Sequence, residues 1–322
     1  MEKKATQTIN GKAFEYALLN EFLERLKIIT SVSVVESEPY KTALKCYLSF
    51  NEKDKSHYTL VASFAVNFLI DIEPRLSHGI NDADILQLEI LSDKEGQTGD
   101  VRDVLAIRSL QQWEIGVSAK NNHRAVKHSR LSKDIDFGQK WLGIPNSETY
   151  FLEIMPIFTF LEEKRNRDKN TKWSSISNKS DRVYVPILNA FKKELEKLNE
   201  ENSEIVPGKL VKYLIGSNDF YKIIKGKKKI EIHAFNLYGS LNQSLGANKP
   251  KGKVTKVKLP DRLIEIVFKK NSKTTLLITL NEGWQFSCRI HSAKSTIETS
   301  LKFDINLVST PHSLFTTQFL ID

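Results

Sequence analysis

Two short stretches in the first half of the chain contain residue types that can hydrolyse a phosphodiester bond. Asp100 and Asp103 stand in TGDVRD, and Ser118 and Lys120 stand in VSAK. The reaction needs negative charge neutralised on the phosphate and a water molecule made nucleophilic, which carboxylate-bound Mg2+ and a nearby lysine supply together. These residues predict a Mg2+-dependent nuclease site. Asp103 is its expected metal ligand, Asp100 is a competing ligand, and Lys120 acts on the attacking water.

The element that must position these residues is a predicted hairpin over residues 100–120. Its two arms, VRDVLAIR and WEIGVSAK, each show the alternating character of a strand, and a polar break separates them. With the turn centred directly after Leu110, Asp103 lies opposite Ser118. Lys120 follows two residues later on the same face, so the acid and the lysine should converge.

This arrangement resembles the PD-(D/E)XK nucleases, in which an acid on one strand faces an acid, any residue and a lysine on the next. The second half reads Ser118-Ala119-Lys120 here, with serine in place of the carboxylate. The resemblance implies an α/β core in which a mixed central sheet is flanked by helices. It also implies that another acid completes the metal site.

Three acids are candidates for the missing carboxylate, and the sequence leaves the choice open. By resemblance, Asp134 corresponds to the acid that some restriction enzymes bring back from the helix after the strand. Also by resemblance, Glu15 lies on an early helix, which often contributes an acid in these nucleases. Glu114 shares strand parity with Ser118 and Lys120, although two full pleats at about 3.3 Å per residue separate it from the active region.

A more specific resemblance covers five separated stretches. They are NGKAFEYALL at 10–19, TGDVRDVLAIR at 98–108, WEIGVSAKNNHRAVKHSRLS at 113–132, YLIGSNDFYKI at 213–223 and GWQFSCRIHSAKSTIETSLKFDINL at 283–307. Together they are similar to the HaeIII-type restriction endonucleases, whose similar length extends the resemblance over nearly the whole chain. The resemblance implies double-stranded DNA as substrate, cut at a short palindromic site, which is GGCC in the family's namesake. Such a target favours a two-fold homodimer, with a monomer acting twice as the alternative.

A basic segment follows the hairpin directly. We expect residues 121–131 (NNHRAVKHSRL) to form a helix, because cap residues precede a basic run. The N-terminus of such a helix suits phosphate oxygens. The residues predicted to contact DNA here are Asn121, Asn122, His123, Arg124, Lys127, His128 and Arg130.

A C-terminal strand supplies the other predicted DNA contacts, Arg289, His291 and Lys294. Apolar residues alternate with polar ones through WQFSCRIH, which indicates a half-buried strand whose polar face carries Arg289 and His291. Arginine pairs bidentately with guanine, so this face is suited to base edges or phosphates. The simpler alternative is an ordinary strand with no ligand.

The overall charge agrees with a polyanionic partner. The formal net charge is +9 and the pI is near 9.2, so the surface attracts nucleic acid, although many basic proteins merely carry solvated lysines. Because Ser118 replaces the motif acid, the competing hypothesis is a non-catalytic DNA-binding protein with a degenerate nuclease core.

Several other classes of protein are disfavoured. Two distant cysteines indicate neither a disulfide framework nor a zinc cluster. The stretch at 246–254, GANKPKGKV, departs from a Walker A loop in its glycine spacing and its final valine, so we expect no nucleotide cofactor. No apolar run reaches the roughly 18 residues that a membrane span needs, and the first residues lack a signal core. We therefore expect a cytoplasmic protein without a membrane partner.

The chain also shows a coarse organisation. An amphipathic helix is predicted over residues 12–27, and strands are predicted over 30–36, 43–50 and 58–64, the last of which could equally be helical. A polar, basic stretch indicates a loop or mobile arm. The predicted division is a nuclease core at 1–162, the basic loop or arm at 163–182, and a helix plus a mostly β DNA-recognition region at 183–322, packed on the core.

Overall fold

The computed structural model describes residues 2–92, 100–121 and 125–321. Its α-helices are α1 Glu2–Leu26, α2 Glu38–Leu48, α3 Glu52–Ile72, α4 Pro74–Ser77, α5 Phe137–Leu142, α6 Glu148–Arg167, α7 Val185–Glu201 and α8 Val206–Ile215. Its strands are β1 Val32–Val34, β2 Leu86–Ile90, β3 Val104–Arg108, β4 Trp113–Asn121, β5 Ala125–Leu131, β6 Phe220–Lys225, β7 Lys229–Phe235, β8 Leu263–Phe268, β9 Thr275–Leu280, β10 Gln285–His291, β11 Leu301–Ser309 and β12 Phe315–Leu320. In this described part of the chain, every helix is too short or too polar to cross a bilayer.

These elements form two compact units, each assembled from separated stretches of chain. The first unit comprises residues 1–124, 217–257 and 313–322, and the second comprises 125–216 and 258–312. The contiguous division predicted from composition differs from this one. The reason is topological, because the chain leaves the first unit after β4 and returns to it with β6 and again with β12.

The first unit is built on a seven-stranded mixed sheet. Its strand order is β1-β2-β3-β4-β6-β7-β12, with parallel pairing of β1 to β2 and of β4 to β6 and antiparallel pairing elsewhere. Helices α1, α2 and α3 share one hydrophobic core with the sheet. Phe14, Ala43 and Val61 come from the helices, and Val117 and Ile223 come from β4 and β6. The predicted α/β class with a mixed central sheet is therefore confirmed.

The opening helix follows its apolar pattern. Phe14, Leu18, Leu19, Phe22 and Leu26 are all buried, and they recur at the three- and four-residue spacing of one helix face. The prediction of a helix over 12–27 is confirmed, although α1 begins earlier, at Glu2.

The strand predicted at 43–50 is wrong, whereas the helical alternative for 58–64 is confirmed. The strand predicted at 43–50 falls largely in α2, and the one at 58–64 falls in α3. Ser37 and Asn51 cap these helices, accepting hydrogen bonds from the backbone N–H groups of Tyr40 and Asp54. The caps and the apolar spacing outweigh the strand preference of the Tyr, Thr and Val side chains. Only the segment at 30–36 contains a strand, β1.

The predicted hairpin is present as β3 and β4. Its antiparallel register pairs Val104 with Val117 and Arg108 with Trp113, around a short 3-10 turn. Extending this register by one residue sets Asp103 opposite Ser118, as the sequence predicted. The chain reverses at Gln112, which has the left-handed backbone that closes such a turn.

The second unit contains a five-stranded antiparallel sheet and helices α5 to α8. The strand order is β5-β11-β10-β9-β8, and β10 and β11 bury one apolar face. After α8, the described chain consists of strands and loops with a single short 3-10 turn. The expectation of a mostly β C-terminal region is confirmed.

The predicted helix at 121–131 is wrong. Residue 121 ends β4 and residues 125–131 form β5, paired antiparallel with β11. The physical reason is that burial alternates at every second residue, as in a strand: Ser129 and Leu131 are buried, while His128 and Arg130 are exposed. Asn122, His123 and Arg124 lie outside the described residues.

The segment at 163–182 also differs from a free arm. Helix α6 continues to Arg167, and the side chains of Trp173 and Ile176 are buried. The backbone N–H of Trp173 donates to the carbonyl of Ser295 at 3.0 Å. Two apolar side chains are therefore enough to anchor an otherwise polar stretch within the second unit.

Candidate active site

Asp103 lies at the end of the β3–β4 ladder and joins three groups of β4. Its Oδ2 accepts hydrogen bonds from Lys120 Nζ at 2.9 Å, from the Ala119 backbone N–H at 2.7 Å and from Ser118 Oγ at 3.3 Å. The last ladder pair is Val104 with Val117, so the carboxylate satisfies a backbone donor beyond it. The hairpin thus holds an acid and a lysine in direct contact.

The pair is open on one side. The Asp103 side chain is 22% exposed and that of Lys120 is 27% exposed, while Ser118 is buried. Ser118 therefore orients the aspartate from below, and the lysine ammonium remains within reach of a substrate. A partly exposed ion pair of this kind contributes little to stability. Its exposure leaves both charged groups accessible to a ligand.

Glu15, on α1, is a second carboxylate of the first unit that influences this pair electrostatically. Its side chain is buried, and its Oε2 accepts a hydrogen bond from Lys12 Nζ at 3.0 Å. Burial, together with the negative charge of Asp103, raises the pKa of Glu15 to about 7, against the lowering effect of Lys12 and Lys120. Glu15 therefore interacts electrostatically with both members of the hairpin pair.

Asp100 and Glu114 are held differently, by one arginine. Arg102 Nη2 lies 2.7 Å from Asp100 Oδ2, and Nη1 lies 2.5 Å from Glu114 Oε1. The Arg102 backbone N–H and Nε also donate to Asp100. Both carboxylates are therefore ion-paired with the same guanidinium, and their roles as metal ligands stay predictions.

Sequence reasoning missed two cations of the site, Arg102 and Lys12. The signal for Arg102 was its position between two acids that were both proposed as ligands. The signal for Lys12 was its spacing of three residues from Glu15 on a helix, which brings the two side chains together.

Comparison with known proteins decides the family. A model of the HaeIII restriction endonuclease family matches residues 11–311. The chain belongs to the HaeIII restriction endonuclease family. Type II restriction enzyme HaeIII of Haemophilus aegyptius is 41% identical over 307 residues, covering 95% of this chain and 95% of that protein. The predicted family resemblance is confirmed.

In this HaeIII-family chain, Asp134 belongs to the second unit. It is exposed in the turn after β5, where its backbone N–H donates to Ser132 Oγ at 3.3 Å. Its role as the missing acid was implied by resemblance alone and stays a prediction. Glu15 is the candidate for which the first unit supplies electrostatic evidence.

Most of the predicted DNA contacts of the HaeIII-family chain lie in the second unit, and one lies at the end of β4. His128, Arg130, Arg289 and His291 lie on the polar face of the five-stranded sheet, and Lys294 is exposed in the turn that follows β10. Asn121 is half-buried at the end of β4.

The predicted helix placed Lys127 and Arg130 on one face, but in β5 Lys127 does not share the exposed face of Arg130. Its Nζ donates to the Tyr213 carbonyl at 2.9 Å and lies 3.8 Å from the centre of the Tyr213 ring. Burial lowers the pKa of Lys127 to about 8. This lysine packs inside the second unit because strand alternation turns it away from His128 and Arg130.

The donor set of the HaeIII-family site fits a hard divalent cation. Glu15 and Asp103 offer two carboxylates. Within the described ranges, no larger group of three or more His, Cys, Asp or Glu residues could hold a metal. Mg2+ commonly binds through one or two carboxylates, with water and substrate phosphate completing its shell. Two carboxylates beside a lysine are therefore compatible with Mg2+, whereas zinc sites use more protein ligands.

Proposed function

We propose that this chain is a type II restriction endonuclease that hydrolyses double-stranded DNA at a short palindromic site, with Asp103, Lys120, Ser118 and Glu15 as its active centre. Family membership supports the reaction, and the resemblance supports GGCC as the site. The observation that carries the residue assignment is the 2.9 Å contact between Lys120 Nζ and Asp103 Oδ2 on the paired strands of one hairpin.

Asp103 and Glu15 are the proposed ligands of Mg2+. The bound ion would neutralise charge on the scissile phosphate and lower the pKa of the attacking water. Glu15 answers the main objection from sequence, because it offers the carboxylate that Ser118 lacks. Asp100 and Glu114 instead serve the hairpin through Arg102.

Lys120 acts on the nucleophile and on the phosphate. Its ammonium is held at the open end of β4 by Asp103, where it can orient a water molecule and offset charge that develops on the phosphate oxygens. Ser118 and the Ala119 N–H fix the aspartate through their hydrogen bonds. These contacts keep the acid and the lysine in place before substrate arrives.

The remaining parts of the proposal concern assembly and location. A palindromic site would be cut on both strands by a two-fold dimer, which presents the same centre to each strand. The enzyme would act in the cytoplasm, where the DNA substrate is accessible.

A plasmid digestion tests the proposal. The purified chain is incubated with plasmid DNA and Mg2+, and then with EDTA in a parallel reaction, and the product ends are sequenced. Discrete fragments with ends at GGCC, present only with the metal, are expected. Retarded but intact plasmid would support the competing hypothesis of a DNA-binding protein without catalysis.

A further inference from the structure

Three neighbouring strands of the second unit, β5, β11 and β10, have faces of opposite character. On one face, Phe286, Cys288, Ile290, Phe303 and Ile305 are all fully buried. Burial of these side chains is enough to hold the sheet to the rest of its unit. The other face is polar and is not needed for the hydrophobic core, so its side chains are available to bind a ligand.

The strand register arranges six residues of the polar face in two rows. Asp304 pairs with His128 on one side and with Arg289 on the other. The rows, which we call the cationic patch, are His128, Asp304 and Arg289, followed by Arg130, Lys302 and His291. With strands about 4.8 Å apart and about 3.3 Å per residue along each strand, the patch is roughly 10 Å wide.

Asp304 is the single acid in the cationic patch and holds three of its members. Its carboxylate contacts His128 Nδ1 at 2.5 Å, His291 Nε2 at 2.6 Å and Lys302 Nζ at 3.3 Å. Burial alone would raise the pKa of Asp304, but the hydrogen bonds and charges of these neighbours hold it well below its usual range. The carboxylate therefore stays charged and orients both imidazoles.

The second row brings like charges together. Arg130 lies directly opposite Lys302, and like charges directly across a ladder destabilise a sheet. Asp304 and Glu298 offset part of this repulsion, and the patch still carries three arginine and lysine side chains against one acid. Its positive charge indicates an anionic ligand that spans several strands.

Arg289 differs from the other arginine of the patch. The Arg130 guanidinium donates to Ser300 Oγ at 2.7 Å and lies 3.5 Å from Glu298. Arg289 is exposed, and across the described ranges its guanidinium has no hydrogen-bond or ion-pair partner. Its planar pair of donors is therefore presented to solvent on a face that is otherwise organised by Asp304.

We propose that the cationic patch reads DNA bases and that Arg289 is a specificity-determining residue that donates two hydrogen bonds to the edge of a guanine. The inference rests on the proposed function and deepens it by naming a recognition residue. The fork of an arginine matches the O6 and N7 acceptors of guanine in the major groove. The major groove of DNA admits a two-stranded β-ribbon as well as an α-helix. Arg130 and Lys302, in the next row, would offset phosphate charge.

Binding to a modified base tests this proposal without cleavage. Anisotropy of a labelled GGCC duplex is measured with the full chain in EDTA, beside duplexes in which each guanine in turn is 7-deazaguanine, which lacks the N7 acceptor. The wild-type chain should bind one modified duplex about 10-fold more weakly, and Arg289→Ala should bind it as well as the unmodified duplex. Arg289→Lys keeps the charge without the planar fork, and its discrimination should fall between those of the wild type and Arg289→Ala.

Lys270→Ala is the matched control, since Lys270 is an exposed cation in the turn between β8 and β9 of the same unit. It should discriminate like the wild type. The proposal is overturned if the wild type ignores the N7 change, or if Arg289→Ala weakens GGCC and shuffled duplexes equally, which would indicate phosphate contact alone. A wild-type chain that discriminates but cuts no DNA would instead defeat the proposed function.

Discussion

The side chain of Arg102 lies directly over Gly116 of the neighbouring strand. A Cβ atom added at residue 116 would stand 2.0 Å from Arg102 Cδ and 2.5 Å from its Cγ, distances that no packed side chain tolerates. The glycine therefore provides the space in which Arg102 reaches Asp100 and Glu114. The absence of a side chain at Gly116 thus lets Arg102 hold the two carboxylates at the start of the hairpin.

Gly116→Ala should destabilise the protein. The added methyl group must displace Arg102, which breaks its contacts with two carboxylates, and overpacking of this kind costs about 1–3 kcal/mol. Urea unfolding measures the loss. Gly11→Ala is the control, because nothing lies within 4 Å of a Cβ at that helical position, and alanine should maintain or raise stability there. Equal midpoints for wild type and Gly116→Ala would show that Arg102 can move without cost.

Lys120→Ala and Asp103→Asn should each abolish cleavage while DNA binding persists. Both remove one member of the pair that acts on the nucleophile and the phosphate, and we expect losses of at least about 100-fold in rate. Single-turnover cleavage and gel retardation give the two quantities separately. Lys253→Ala, an exposed lysine of the same unit, should cleave normally. Full activity in either site variant would refute the assignment.

Much of this centre could be predicted from sequence. The hairpin register depends on local alternation and a short turn, both of which are readable in 100–120, so the meeting of Asp103 and Lys120 was predictable. The role of Arg102 was not, because its contacts depend on a gap above Gly116 that only the folded sheet reveals. The preference for Glu15 among the three candidate acids stays a proposal, and it depends on how α1 packs in the first unit, which the spacing within 100–120 does not encode.

The segment at 121–131 shows a different kind of error. Cap residues and a basic run favoured a helix, and the alternation of buried and exposed positions in β5 is obscured by Lys127, which is half-buried against Tyr213. Pairing with β11, more than 170 residues away at His128 and Asp304, decides the outcome. Tertiary pairing overrides local preference here.

Glu15→Gln should weaken metal binding and cleavage, whereas Glu114→Gln should not. The first change removes a proposed metal ligand with little change in shape, and the second alters only a partner of Arg102. Calorimetric titration with Mn2+ reports binding independently of turnover, and a loss of about 10-fold or more in affinity is expected for Glu15→Gln. Asp134→Asn completes the set. If that variant, and not Glu15→Gln, lost the metal, the acid implied by resemblance would be the ligand.

Glu73 should make folding stability depend on pH. It is fully buried at the end of α3, where its Oε1 accepts hydrogen bonds from Tyr221 and the Asn242 N–H. Burial raises the pKa of Glu73 to about 7, against the lowering effect of those hydrogen bonds. An acid whose pKa is higher in the folded state favours folding while it is protonated. Its contribution is therefore complete below about 4.5 and is lost as the pH rises through about 7.

Glu73→Gln removes this titration and keeps an oxygen that can accept both hydrogen bonds. Relative to wild type, the variant should gain on the order of 2 kcal/mol of unfolding free energy between about pH 5.5 and about pH 8. The comparison is made by urea unfolding at both pH values, and any constant cost of burying the amide cancels in the difference. Glu36→Gln, at an exposed position of the same unit, should show no such change. A difference between Glu73→Gln and wild type that stays constant with pH would mean that Glu73 ionises as freely in the folded protein as in the unfolded chain.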